Sequence, residues 1–386
     1  MTHARLDVDR EKVGIVTIND DANYGNRLQN YALQEVVRGL GWDPETLRNR
    51  PPRWDPALLG PRMLHELRHD PADVADRLVA RVRRRPSRDA ASAPEFLGQR
   101  RAAIAAFARD HIASSMEAFS DRPTTYWGER YSAVIAGSDQ VWNPTYRRAQ
   151  GIDFLDFAPE SRRVAYAASF GVERVPGFLR SRYRTWLRGI PHLSVRESAG
   201  RRIVADLTGA EVPIVLDPTL LVEPAVWDRL TAARPRIVSE PYALRFFLGA
   251  PTVEQDVWVR RYASDEGLAV VDLHDLDDAR FAEVDPAGFV ASIARAEVVI
   301  TDSFHAGIFS LLHRRPLILR TRFERDARWN ELLRQHDLTT RATGIDGLRA
   351  LADVDWTGSE QSRDDLRIAS LRFLREALEA SGERTG

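Results

Sequence analysis

Asp302, Ser303 and His305 fall within four positions of one another, where the apolar run VVIT gives way to the small and apolar stretch AGIFSLL. That order reads as a strand, its carboxyl-end turn and a helix, the place where open α/β sheets gather their chemistry. His305 then sits in the first helical turn, beside backbone N–H groups without intrahelical partners. Such a position suits an anionic ligand and an acid–base imidazole together. Arg196 in SVRES follows a short apolar run and precedes a helical one. Its guanidinium fork can bind carboxylate or phosphate in bidentate fashion, and pairing with neighbouring Glu197 is the structural alternative. GSDQVWNP places Ser138, Asp139 and Gln140 directly after a strand-like run, where Ser138 or Asp139 can also cap a helix and Trp142 can be core.

These residues need a frame. The run 13–18 reads as a buried strand, 19–26 as a loop containing Gly25, and 27–40 as a helix with Leu28, Tyr31, Ala32, Val36 and Val37 at helical spacing. Strands are predicted at 131–136, 163–169, 192–195 and 213–216, with helices at 178–188 and 197–207. The pattern breaks at 231–241, then resumes with strands at 242–248, 268–273, 298–301 and 316–320 and helices at 253–264, 286–296, 306–312, 329–335 and 364–380. Repeated βα order implies mostly parallel sheets. The expectation is an α/β domain over 1–235, carrying an Arg- and Pro-rich segment of low order at 50–94, and a second over 236–386 whose last helix packs back on the first.

Composition narrows the function. With 55 Lys+Arg against 56 Asp+Glu the net charge is -1, which gives no global electrostatic case for nucleic acid or an anionic membrane. Cysteine is absent, which removes disulfides, thiol catalysis and Cys-ligated metals. The first residues are charged and lack an apolar targeting core, so a cytoplasmic protein is expected. Lys12 is the sole lysine, so arginine carries nearly all positive charge and an arginine is weak evidence by itself. The run 81–85 reads as a solvated basic face, with membrane contact as the alternative.

YGNRLQNYALQ, AGSDQVWNP, YAASFG, SVRES, LDPTLL and TDSFHAGIFS occur in an order and spacing that resembles the polysaccharide pyruvyl transferase family. The resemblance implies a GT-B-like fold, two Rossmann-type domains facing a cleft. It also implies transfer of pyruvate from phosphoenolpyruvate to hydroxyls of a saccharide or glycoconjugate as a ketal, with release of phosphate. His305 and Arg196 become the expected catalytic pair, and Arg196, Ser303, His305 and Arg325 the donor-binding set; Arg320, Arg322 and Arg328 compete with Arg325 for the last place. Asn23, Tyr24, Gly25, Asn26, Ser138, Asp139 and Gln140 are expected to bind the acceptor, with Trp142 as a stacking platform. Asp217, before Pro218, reads as a turn residue and stays outside the catalytic set. No metal or cofactor is expected beyond phosphoenolpyruvate as co-substrate. The alternatives are a nucleotide-sugar glycosyltransferase on the same fold and a non-catalytic glycan-binding relative.

Overall fold

The computed structural model describes residues 10–20, 22–49, 53–69, 96–275, 277–320 and 327–382. Two six-stranded sheets dominate. The first holds β1 (Lys12–Val16), β2 (Asp43–Arg48), β3 (Ser114–Ala118), β4 (Ala133–Asp139), β5 (Arg163–Ala168) and β6 (His192–Val195) in the order β3-β2-β1-β4-β5-β6. All its pairings are parallel, and its central strands are nearly continuous apolar runs because helices cover both faces. The second holds β7 (Tyr242–Phe246), β8 (Ala269–Asp272), β9 (Val298–Thr301), β10 (Leu317–Arg320), β11 (Thr339–Ala342) and β12 (Leu348–Ala352) in the order β11-β12-β10-β9-β7-β8. It is parallel except for β12, which pairs antiparallel with both β10 and β11. The architecture is α/β with two Rossmann-type halves.

In each sheet the chain winds outward in both directions from the centre, so strand order reverses between β1 and β4 and between β7 and β9. Loops leaving the carboxyl ends of such strands diverge and open a crevice. Helices that pack on the sheets or frame these crevices include α1 (Tyr24–Gly39), α2 (Pro56–His69), α3 (Leu97–His111), α4 (Ser198–Thr208), α5 (Pro218–Leu221), α6 (Phe304–Leu312), α7 (Ala327–Gln335) and α8 (Trp356–Gly382). One hydrophobic core runs through both halves, from Val13, Ile15 and Leu28 to Leu244, Val299 and Phe309. Arg100 on α3 ties them further: its guanidinium donates to the carbonyls of Leu273 (2.9 Å) and Phe281 (3.0 Å). The Tyr24 hydroxyl donates to the Val284 carbonyl at 2.9 Å.

Several boundaries differ from the sequence expectation for physical reasons. α1 begins at Tyr24, because the Asn23 side chain caps it by accepting from the Asn26 N–H at 3.2 Å. Tyr24, Gly25 and Asn26 are therefore its first turn and no loop. The strand expected at 213–216 is reduced to one parallel bridge between Val195 and Ile214. The last helix starts at Trp356, ahead of the expected 364, and lies against the first sheet, with Leu374 and Leu378 fully buried. Most of the 50–94 segment, including the run 81–85, lies outside the described residues. Among them, no helix is long and apolar enough to cross a membrane.

Candidate active site

The two crevices open onto each other. β4 ends in Ser138 and Asp139, α1 starts beside them, and Asn26 Nδ2 donates to Asp139 Oδ2 across the strand reversal of the first sheet. β9 ends at Thr301, and Ser303 caps α6 by accepting from the Ala306 N–H at 3.4 Å. His305 thus lies in the first turn of α6, as the sequence predicts, and its ring lies against α1. A Cβ placed on Gly25 would meet His305 Nδ1 at 2.1 Å. Gly25 is needed there to give the imidazole room, and no left-handed backbone angle is involved. Gly25→Ala is expected to displace the ring and lower kcat by about 10²-fold while the helix melts normally by circular dichroism, since alanine is the better helix former.

Around His305 the structure gathers a carboxylate-rich cluster. Arg196, 2% exposed, donates from Nη1 to Asp217 Oδ2 at 2.8 Å and from Nη2 to Asp139 Oδ1 at 3.3 Å. Glu197 Oε2 lies 3.7 Å from Arg196 Nε, while Glu197 Oε1 accepts from the Ser169 hydroxyl at 2.8 Å. The Arg196 guanidinium also lies over the Phe304 ring at 4.5 Å. Expected as a bidentate clamp for an anionic donor, Arg196 instead has both terminal nitrogens committed to carboxylates. Only Nε is left, and the side chain acts as the cation that holds the cluster together. Three buried polar atoms there have no hydrogen-bond partner: Arg196 Nε, Glu197 Oε2 and His305 Nε2. Arg196 Nε and Glu197 Oε2 face each other as an ion pair, so His305 Nε2, 3.8 Å from Asp217 Oδ2, is the one of the three most open to a further partner.

Asp217, set aside in the sequence reading, is at the centre. Its Oδ1 does cap a turn, accepting from the Thr219 N–H at 3.0 Å and hydroxyl at 2.7 Å. Its Oδ2 accepts from Arg196 and from the Ser138 hydroxyl at 3.1 Å, and lies 3.8 Å from His305 Nε2. Burial alone would raise its pKa, but the charges of His305 and Arg196 and the Thr219 hydrogen bond outweigh it and hold the carboxyl below its ordinary value. Burial lowers the His305 pKa; Asp217 and Asp139 oppose this, and Arg196 and Arg328 add to it. Burial thus favours the neutral imidazole. Burial raises the Glu197 pKa against the opposing pull of Arg196 and Ser169.

The remaining expected residues separate. Ser138, Asp139 and Asn26 belong to the cluster. Gln140 accepts from Asn143 at 2.7 Å and borders Gly171. Tyr24 is buried with its ring stacked on Phe289, centroids 4.6 Å apart, so it supports the site from behind and offers no face to an acceptor. Trp142 is fully buried, stacks on Phe154 and donates to the Asp153 carbonyl at 2.8 Å; it is core and no sugar platform. Arg320 pairs with Asp302 and donates to the carbonyls of Gly249 (3.0 Å) and Ala250 (3.1 Å), which removes it from the donor candidates. Arg322 and Arg325 lie outside the described residues. Arg328 on α7 approaches the same Phe304 ring as Arg196, at 5.9 Å, and acts electrostatically on both His305 and Glu197. A cavity of about 440 Å3, between α3 and residues 283–285, shares no residue with this cluster.

The model of the family described as polysaccharide pyruvyl transferase matches residues 23–321, from the α1 cap through β10 and so through every member of the cluster. The chain belongs to the polysaccharide pyruvyl transferase family. This member is a transferase, and the family places it in polysaccharide biosynthesis. No curated protein matches the chain. Solved structures similar to it include a protein from Listeria monocytogenes assigned as a UDP-N-acetylglucosamine 2-epimerase, with TM-score 0.46 and 10% identity over 97% of this chain and 91% of that one. A UDP-GlcNAc 2-epimerase from Neisseria meningitidis bound to UDP-GlcNAc gives 0.44 and 11% over 96% and 94%. The ADP-heptose LPS heptosyltransferase II of E. coli gives 0.34 and 12% over 93% and 99%.

Proposed function

We propose that this protein transfers the pyruvyl group of phosphoenolpyruvate to two hydroxyls of a polysaccharide or glycoconjugate, forming a ketal and releasing phosphate. The observation that carries the reading is the meeting of His305, Asp217, Arg196 and Asp139 where the two crevices face each other, inside the matched family span. The first hydroxyl gives its proton to His305, and the imidazolium so formed protonates the enol methylene as an oxocarbenium-like centre forms at the carbon bearing the phosphate. That hydroxyl's oxygen bonds to the carbon, phosphate departs, and the second hydroxyl closes the ring, its proton leaving with the phosphate. A neutral, buried imidazole is suited to accept a hydroxyl proton, and Asp217 and Asp139 stabilise the imidazolium as it forms. Asp139 and Asn26 stand where an acceptor hydroxyl would bind. For the donor, the α6 N-terminus with Ser303 and a cation from Arg325 or Arg328 would meet the phosphate and carboxylate. No cofactor enters this scheme.

The test is incubation with phosphoenolpyruvate and a panel of polysaccharides, read by mass spectrometry for an added pyruvyl group and by phosphate release. Release of a nucleoside diphosphate from a sugar nucleotide, with no consumption of phosphoenolpyruvate, would establish the glycosyltransferase alternative instead. The pH profile is a second check. Because His305 must be neutral to accept a proton, kcat/KM is expected to rise with pH along a limb centred below the ordinary imidazole value of ~6.5. Asp217 opposes the lowering, so Asp217→Asn is expected to move that limb to still lower pH. A limb that stays in place in the variant would separate the carboxylate from the imidazole's titration.

A further inference from the structure

Helix α2 keeps Leu58 in the core and turns Arg62, His65 and Glu66 toward the protein, while most of its large apolar side chains face outward. On the inner face Arg62 lies over the Trp54 ring at 4.8 Å and donates to Glu66 at 2.6 Å, and His65 packs on Phe178 with ring centroids 5.5 Å apart. On the outer face Leu59, Met63, Leu64 and Leu67 are 49%, 60%, 50% and 47% exposed. Exposed Pro56, Ala57, Gly60 and Pro61 surround them. Of the ten large hydrophobic side chains so exposed among the described residues, four share this one helix. A continuous apolar face of this kind marks a surface with a partner.

Its rim says which partner. Gln150 Nε2 donates to the carbonyls of Arg53 (2.6 Å) and Arg148 (3.1 Å), which brings these two exposed arginines together at the start of the helix. Tyr146, 65% exposed, belongs to the same loop, and exposed Arg68 stands at the other end. None of these three arginines forms an ion pair with a described residue, whereas the nearby acids are engaged, Asp55 by Arg182 at 2.7 Å and Glu66 by Arg62. The face is thus apolar in the middle and positive at the edges. A second copy docked here about a two-fold axis would oppose arginine to arginine. An anionic phospholipid surface meets every feature: leucines and methionine at the acyl boundary, tyrosine at headgroup depth, guanidiniums on the phosphates.

We propose that α2 seats the protein on an anionic phospholipid bilayer, lying in the plane of the interface. At about 1.5 Å per residue its length is ~21 Å, too short to span. The arginine run 81–85 lies outside the described residues and is no part of this face. The test is co-sedimentation of the full chain with phosphatidylcholine vesicles, with and without phosphatidylglycerol. Binding is expected to the mixed vesicles only and to weaken with salt. Leu59→Ser with Leu67→Ser is expected to weaken it by about tenfold or more. Arg53→Gln with Arg148→Gln is expected to weaken it roughly 30-fold, with thermal unfolding unchanged in both variants. No binding to the mixed vesicles overturns the proposal. Equal binding by parent and both variants also overturns it, and places the contact elsewhere in the chain. A dimer in analytical ultracentrifugation that Leu59→Ser with Leu67→Ser dissolves overturns it in favour of a second copy.

Discussion

His305→Ala is expected to lower kcat by about 10²–10⁴-fold, the contribution of a positioned acid–base group, while phosphoenolpyruvate consumption and pyruvyl transfer fall together. The ring packs against Gly25 of α1 and edge-on to Phe304, and its Nε2 makes no hydrogen bond, so the variant removes an acid–base group along with a limited amount of packing. Its unfolding midpoint in urea is accordingly expected to fall modestly, by far less than the loss of turnover would require if packing alone were at stake. This separation of activity from stability identifies a chemical role. A variant turning over at near the parent rate would remove the imidazole from the mechanism. A variant losing stability and activity in proportion would reduce it to packing.

The second large effect is expected at Arg196, and it should be the opposite in kind. Asp139, Asp217 and Glu197 are buried around one guanidinium, whose charged form their carboxylates favour against the cost of burial. Arg196→Met keeps much of the side-chain volume and leaves those carboxylates without their cation. Breaking a buried ion pair by removing one partner typically costs about 3–5 kcal/mol, which urea unfolding would read directly. Lowering the pH is expected to return part of that loss, because protonated carboxyls no longer repel one another. Arg196→Lys restores the charge but cannot reach Asp217 and Asp139 together through a fork, so it should recover stability better than activity. If Arg196→Met unfolds like the parent, the guanidinium is not the cation that holds the cluster.

The βα order was readable because its strands are unbroken apolar runs, such as Val298–Thr301, and its helices carry spaced apolar faces. β2 reads DPETLR and β11 is exposed at every position, so neither shows the alternation that would announce a strand. His305 was found because a strand, a turn and a cap precede it within a few residues. Asp217 was passed over because its local signal, a carboxylate ahead of Pro218 and Thr219, is a true turn signal that accounts for only one of its two oxygens. The other oxygen's partners, Ser138 and Arg196, lie far away in the chain. Arg196 drew attention for its charge, yet nothing local revealed that two distant aspartates would occupy its fork. Arg320 fitted the expected basic window, but parallel pairing of β9 with β10 brings it beside Asp302. Trp142 looked available until the fold laid Phe154 on its ring.

α8 is the final described element, yet what it covers was made much earlier. Leu374, Ala377 and Leu378 share a core with Tyr166 and Leu216, and the Ser370 hydroxyl accepts from the Leu216 N–H at 3.0 Å. As the polypeptide leaves the ribosome, the amino-terminal lobe must therefore wait, one greasy flank uncovered, until residues 356–382 have emerged. Maturation of that lobe is coupled to synthesis of a segment about 140 residues beyond Leu216, and a nascent chain stalled before residue 356 would be a client for chaperones.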